Sequence, residues 1–139
     1  NIIDGTRKVH DFLTVGAAAP LQEAVVPGLR FGEEYYRGLR QMYAQKRALF
    51  LRGLRNIGLP HTEPQGAYYV MVDISEFGYE SDLAFCEDMA RRVGVGAVPG
   101  SSFFHEPENR YIRLHFAKRE ETLNEALNRL EHIYRKLRV

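Results

Sequence analysis

Arg113 is the residue of this chain best placed to do chemistry. It stands in Arg110-Tyr111-Ile112-Arg113-Leu114-His115-Phe116, where polar and apolar residues alternate. Strand side chains point to opposite faces with a period of two. Ile112, Leu114 and Phe116 would therefore share one face, and Tyr111, Arg113 and His115 the other. A guanidinium on a strand is held more firmly than one on a loop, and its planar fork can grip a carboxylate through two parallel hydrogen bonds. On the strand pattern alone, an arginine on a solvated face is the commoner outcome, since charged side chains are mostly surface residues.

The other candidates are weaker. Gly94-Val95-Gly96-Ala97-Val98-Pro99-Gly100 looks like a phosphate-binding glycine run, but the G-x-G-x-x-G pattern needs its third glycine at position 99, where proline stands. No helix opens there to aim its N-terminus at a phosphate, which argues against dinucleotide binding. His105-Glu106-Pro107-Glu108 is not the helical H-E-x-x-H metal signature, and its proline spoils a helix. His10, His61, His115 and His132 are scattered, so no metal site is expected. Ser101 and Ser102 lack the setting of a nucleophile elbow and read as hydroxyls that satisfy backbone groups. Tyr111, Arg113 and His115 on one strand face could stack bases, but the run lacks the glycines of the RNA-recognition strand. Cys86, the only cysteine, excludes an intrachain disulfide. It sits in a helical pattern and reads as a small buried hydrophobe rather than a nucleophile.

Composition agrees with these readings. The 139 residues are 45% hydrophobic with a formal charge of +1, enough for an ordinary core and without an electrostatic case for nucleic acid or a membrane surface. No apolar run is long enough to span a bilayer, and no signal peptide opens the chain. The lack of disulfides fits a reducing, cytoplasmic setting.

The elements that must position Arg113 follow from periodicity. Residues 1–30 read as a lead-in, helical over Thr6 to Val15, interrupted by Gly16-Ala17-Ala18-Ala19-Pro20, helical again over Pro20 to Val26, and stopped by Pro27-Gly28. Residues 32–57 form the longest helical pattern, with Tyr35, Leu39, Met42, Tyr43, Leu49, Phe50 and Leu54 as its core stripe and Gly58 as its C-cap. Residues 66–73, rich in aromatic and β-branched side chains, predict a buried strand. Ser81 predicts an N-cap for a helix carrying Leu83, Cys86, Met89, Ala90 and Val93, ended by Gly94. Val95 to Pro99 predicts a short strand, residues 100–109 a loop, and residues 119–137 an amphipathic helix with Leu123, Ala126, Leu127, Leu130, Ile133, Tyr134 and Leu137 on one face. The expected class is α/β in the α+β sense: long helices packed on a small mixed sheet. The strands at Val95 and Tyr111 could pair antiparallel, and a helical crossover would allow a parallel relation between those at Tyr68 and Val95.

Three of these blocks, in this order, resemble the C-terminal part of class I/II aminotransferases, the aspartate aminotransferase family of pyridoxal-phosphate enzymes. Gly66-Ala67-Tyr68-Tyr69 is similar to that family's glycine-plus-aromatic strand. Val93 to Phe103, with Pro99-Gly100-Ser101-Ser102-Phe103, is similar to its "gV-a-v-PGs-F" segment, and Tyr111-Ile112-Arg113-Leu114-His115-Phe116-Ala117 to its "iRl-fa" strand. Residues 7–26 are similar to the segment after the cofactor lysine region, so the likeness covers nearly the whole chain.

The resemblance implies the C-terminal small domain of a pyridoxal-phosphate-dependent transferase fold over 31–139, including the connecting helix 32–57. Residues 1–30 would be the tail of the large cofactor domain or the interdomain segment. It implies that Arg113 binds the substrate α-carboxylate, with Phe103 or Phe104 as an apolar wall beside it. It also implies pyridoxal 5'-phosphate as cofactor, amino acid and 2-oxo acid substrates, and a homodimer, with neither nucleic acid nor membrane as partner. The chain departs from the family pattern: the family's cofactor lysine, pyridinium-pairing aspartate and phosphate-binding residues are expected upstream of it. Its lysines are Lys8, Lys46, Lys118 and Lys136, and none stands in the serine-rich, P-G-x-R-x-G context of the cofactor lysine. The expectation is a C-terminal piece that starts after that lysine, inactive by itself. A C–S lyase using the same carboxylate grip, or a non-catalytic regulatory domain, are the alternatives.

Overall fold

The computed structural model describes residues 1–14, 16–106 and 108–138. The helix end read at Val15 and the loop proline Pro107 lie outside the described residues. The chain divides into two compact units, Asn1–Leu39 and Arg40–Val139.

The first unit holds α1 (Ile2–Thr14) and α2 (Ala19–Leu29). Asn1 caps α1, its side-chain oxygen accepting the Ile3 amide at 2.8 Å, as an N-cap asparagine does. Sequence predicted that Pro27-Gly28 would stop the second helix. Instead α2 contains Pro27 and reaches Leu29, and the Arg30 amide bonds back to the Pro27 carbonyl. Proline in a last turn forfeits one amide bond without interrupting a long run. No described residue of this unit is buried, and Ile2, Phe12, Leu13, Leu21 and Leu29 are exposed.

α3 spans Glu33–Ile57. Its buried residues are Phe50, Leu51 and Leu54. The predicted stripe is thus right for its C-terminal half, whereas Tyr35, Leu39 and Met42 are exposed. The stripe meets the core only where α3 lies in the second unit. Gly58 ends the helix as expected, with φ of +85° and the Leu59 amide reaching back to the Leu54 carbonyl at 3.0 Å.

The second unit is built on a three-stranded sheet: β1 (Tyr69–Asp73), β2 (Val98–Pro99) and β3 (Tyr111–His115), with β3 in the centre. The small sheet with helices packed on it is the expected class, and both of its pairings are antiparallel. β1 and β2 run in the same direction but β3 separates them, so the parallel relation allowed by the crossover exists without a parallel ladder. Val70, Val72, Ile112 and Leu114 point into the core. α4 (Asp82–Asp88) starts at Ser81, whose hydroxyl accepts the Ala84 amide at 3.1 Å. It widens into a π-type turn over Met89–Val93 and ends at left-handed Gly94. Phe85, Cys86, Met89 and Val93 are buried there, while Leu83 is exposed, contrary to the predicted stripe. Val95 to Ala97 do not join β2, which is only two residues long.

The predicted final helix is two: α5 (Glu120–Leu130) and α6 (Ile133–Leu137). The apolar stripe survives the break, since Leu123, Leu130, Ile133 and Leu137 are all buried. The Tyr134 hydroxyl donates to the Gly58 carbonyl at 2.8 Å, tying α6 to the end of α3.

Candidate functional site

β3 lies between two partners, so Arg113 is held from both sides. Met71 of β1 and Val98 of β2 are its cross-strand neighbours. The strand alternates as the sequence predicts: Ile112 and Leu114 are buried, whereas Tyr111 and Arg113 are half-buried on the other face.

Two rings pack on the guanidinium. Its central carbon lies 4.2 Å from the centre of the Tyr69 ring and 3.8 Å from that of Phe103. Each stacking contributes about 0.5–1 kcal/mol where partly exposed. Both rings pack on the guanidinium, whose N–H groups have no hydrogen-bond partner among the described residues and can serve a bidentate carboxylate. Tyr69 is steadied in turn. Its hydroxyl donates to that of Tyr68 at 3.0 Å, and the Tyr68 ring stacks on Tyr43 of α3 at 5.9 Å.

Pairing sets Arg113 apart from the other arginines. Among the described residues only Arg47 and Arg113 are arginines that are not exposed. Arg47 pairs with Glu63 at 3.1 Å and also donates to the Pro64 carbonyl. Arg113 makes no ion pair or hydrogen bond with any described residue. Arg110, three positions earlier, is fully engaged: Glu108 takes its Nε and Nη2 at 2.8–3.2 Å. Those bonds hold the Glu108 carboxyl at about 2, well below its ordinary value. The one half-buried arginine without a carboxylate of its own is thus the one the strand pattern singled out.

The loop before β3 brings Phe103 to this place. Gly100-Ser101-Ser102-Phe103 forms a single 3₁₀ turn. Gly100 lies against the Tyr111 backbone, and a Cβ on it would stand 2.4 Å from the Tyr111 carbonyl oxygen. Only glycine fits that approach. Asp82, the one buried charged residue among those described at 2% exposure, accepts the Ser101 amide at 2.7 Å and the Ser101 hydroxyl at 3.1 Å. Burial, reinforced by the Asp82 charge, pushes the neighbouring Cys86 thiol up to about 11, in keeping with the expected inert cysteine.

Sequence reasoning found Arg113 and Phe103, and the structure brings them together. Phe103 lies on the arginine itself, its ring centre 3.8 Å from the guanidinium carbon. Phe104 leans on Tyr111 instead, at 6.0 Å between ring centres. Tyr69 and Asp82 were missed as site residues. Tyr69 shares the face of Arg113 through the pairing of β1 with β3, which the sequence does not show. Asp82, in the first turn of α4, gives no local signal of its role, because its partner is 19 residues away. Ser101, expected to satisfy backbone groups, donates its hydroxyl to a carboxylate.

Known proteins similar to this chain fall in one family. Residues 1–130 match the family described as "Aminotransferase class I and II". A methionine aminotransferase of Escherichia coli is 37% identical over 128 residues, which is 91% of this chain and 33% of that protein. An aspartate aminotransferase of Pyrococcus horikoshii is 32% identical over 94% of this chain and 34% of its own length. Among solved structures, N-succinyldiaminopimelate aminotransferase from Mycobacterium tuberculosis superposes with a TM-score of 0.76 at 32% identity, over 93% of this chain and 34% of that one. The chain spans about a third of the length of the relatives it matches.

Proposed function

This chain belongs to the class I and II aminotransferases, and on that premise we propose that it is the carboxylate-gripping C-terminal part of a pyridoxal-phosphate-dependent enzyme that moves an amino group between an amino acid and a 2-oxo acid. The observation that carries this reading is Arg113: half-buried on a central strand, packed against the rings of Tyr69 and Phe103, and bound to no carboxylate of the described residues. Such an arginine can take the substrate α-carboxylate in two parallel bonds and so fix the reacting carbon in one orientation, which is a large part of what an enzyme supplies.

The residues of this chain do not by themselves fit the cofactor. A lysine that forms a Schiff base needs a partly desolvated place beside the substrate. Lys8 and Lys118 are exposed, Lys46 and Lys136 lie on α3 and α6, and none stands on the sheet face that carries Arg113. We therefore assign the cofactor lysine and phosphate contacts to sequence outside these 139 residues, and expect no transaminase turnover from the chain alone. The apolar residues exposed on α1 and α2 support a setting in which further protein, as in the expected homodimer, covers the first unit. The named relatives act on methionine, aspartate and N-succinyldiaminopimelate, so the side-chain preference of this protein does not follow from theirs.

Arg113→Ala in the full-length protein tests the assignment. Amino-acid binding should weaken by about a hundredfold, the worth of a charged bidentate contact, while affinity for pyridoxal phosphate stays within a few-fold. Equal weakening of both would remove Arg113 from the role.

A further inference from the structure

We propose that Asp82 is a positioning residue for the Arg113 carboxylate grip, acting through Ser101 and Phe103. The inference rests on the assignment of Arg113 as the carboxylate anchor and extends it to residues that do not touch the substrate.

Burying a carboxylate is costly unless its oxygens are satisfied, so what satisfies Asp82 shows what the cost supports. Both of its oxygens are taken by Ser101, one by the amide and one by the hydroxyl. It forms no ion pair with a described residue. Nor does it cap its own helix, because Ser81 already accepts the Ala84 amide. The buried charge thus serves the turn at Gly100–Phe103.

That turn is pinned at two points. Gly100 is seated on the Tyr111 backbone of β3, where no side chain would fit. Ser101 is tied to α4 by Asp82. Two residues further on, the Phe103 ring stacks 3.8 Å above the guanidinium. The ring is 46% exposed, so the pinned backbone must do most of the work of holding it in place. A two-point carboxylate bond depends on the plane of the guanidinium. Releasing the Ser101 pin frees one of the two rings that pack on the guanidinium and leaves Tyr69 alone to hold it. The relay therefore runs from Asp82 to Ser101, to Phe103, to Arg113.

The test compares an amino acid with the amine that lacks its carboxylate, each bound to the full-length protein. Asp82→Asn removes one acceptor while keeping the volume, and should weaken the amino acid about tenfold, as expected for loss of a charge-assisted hydrogen bond. The amine should change less than about twofold. Phe103→Leu leaves the buried carboxylate untouched and should show the same selective loss, which decides the matter if Asp82→Asn does not fold. Adding Asp82→Asn to Arg113→Ala should cost nothing further. The proposal is overturned if Asp82→Asn weakens amino acid and amine alike, or neither, or if Phe103→Leu keeps the wild-type ratio. If Arg113→Ala itself leaves that ratio unchanged, the anchor assignment fails and the proposal fails with it. If Arg113→Ala removes the discrimination while Asp82→Asn and Phe103→Leu preserve it, the proposal fails alone.

Discussion

Gly100→Ala should disturb the site without touching Arg113 or the buried carboxylate. An alanine Cβ there would meet the Tyr111 carbonyl oxygen at 2.4 Å, its carbonyl carbon at 2.8 Å and its Cβ at 2.9 Å, where real Cβ contacts essentially never fall below 3.0 Å. The obstacle is the backbone of the central strand, so the turn has to retreat by roughly 0.6 Å or more, an overpacking that costs about 1–3 kcal/mol. The same retreat would stretch the 2.7 Å bond from Ser101 to Asp82. In a unit of this size a loss of about 2 kcal/mol lowers the thermal midpoint by roughly 7–10 °C. Gly96→Ala is the matched control four residues away: its Cβ would meet nothing within 4 Å, and its φ is not positive. That substitution should leave the midpoint unchanged or raise it by a few degrees, since alanine restricts the unfolded chain. Thermal unfolding followed by circular dichroism separates the two. A wild-type midpoint for Gly100→Ala, or an equal fall for Gly96→Ala, would refute the steric argument.

The remaining expectations concern titrating groups. Cys86 is 6% exposed with its thiol pushed up to about 11, so at pH 8 an aromatic disulfide reagent should label it only after denaturant is added. Rapid labelling of the folded protein would contradict the burial. Burial first, then the charges of Lys118 and Arg113, lowers the proton affinity of His115 below its ordinary value of 6.5. The unfolded chain then holds that proton more tightly, so the stability contributed by neutral His115 is complete above that ordinary value and is lost as the pH falls through it toward the depressed folded value. His115→Gln should flatten that part of the plot of midpoint against pH, and an unchanged slope would exclude the effect.

What the sequence made legible was local. The alternation of Tyr111 to His115 placed Arg113 opposite Ile112 and Leu114 because strand side chains must alternate. Ser81 announced α4 because a hydroxyl there satisfies an open amide. Gly58 and Gly94 marked helix ends, where left-handed backbone favours glycine. What was missed depends on tertiary contacts. Nothing near residue 131 marks the break between α5 and α6, since the apolar stripe runs through it. Leu83 has the right spacing for the core, yet Phe85 is the residue buried. The tie between Asp82 and Ser101 joins two segments that sequence reads as a helix start and an ordinary loop. Only the folded chain reveals that Phe103 lies on the guanidinium rather than merely near it.

The most direct measurement is a crystal structure of the full-length protein with an unreactive analogue that retains the substrate carboxylate. The expected result is two parallel N–H···O bonds of about 2.7–2.9 Å from Arg113 to that carboxylate, with Tyr69 and Phe103 still packed on the guanidinium. A carboxylate held by other groups, with Arg113 making no contact to it, would contradict the assignment of this strand arginine as the substrate anchor.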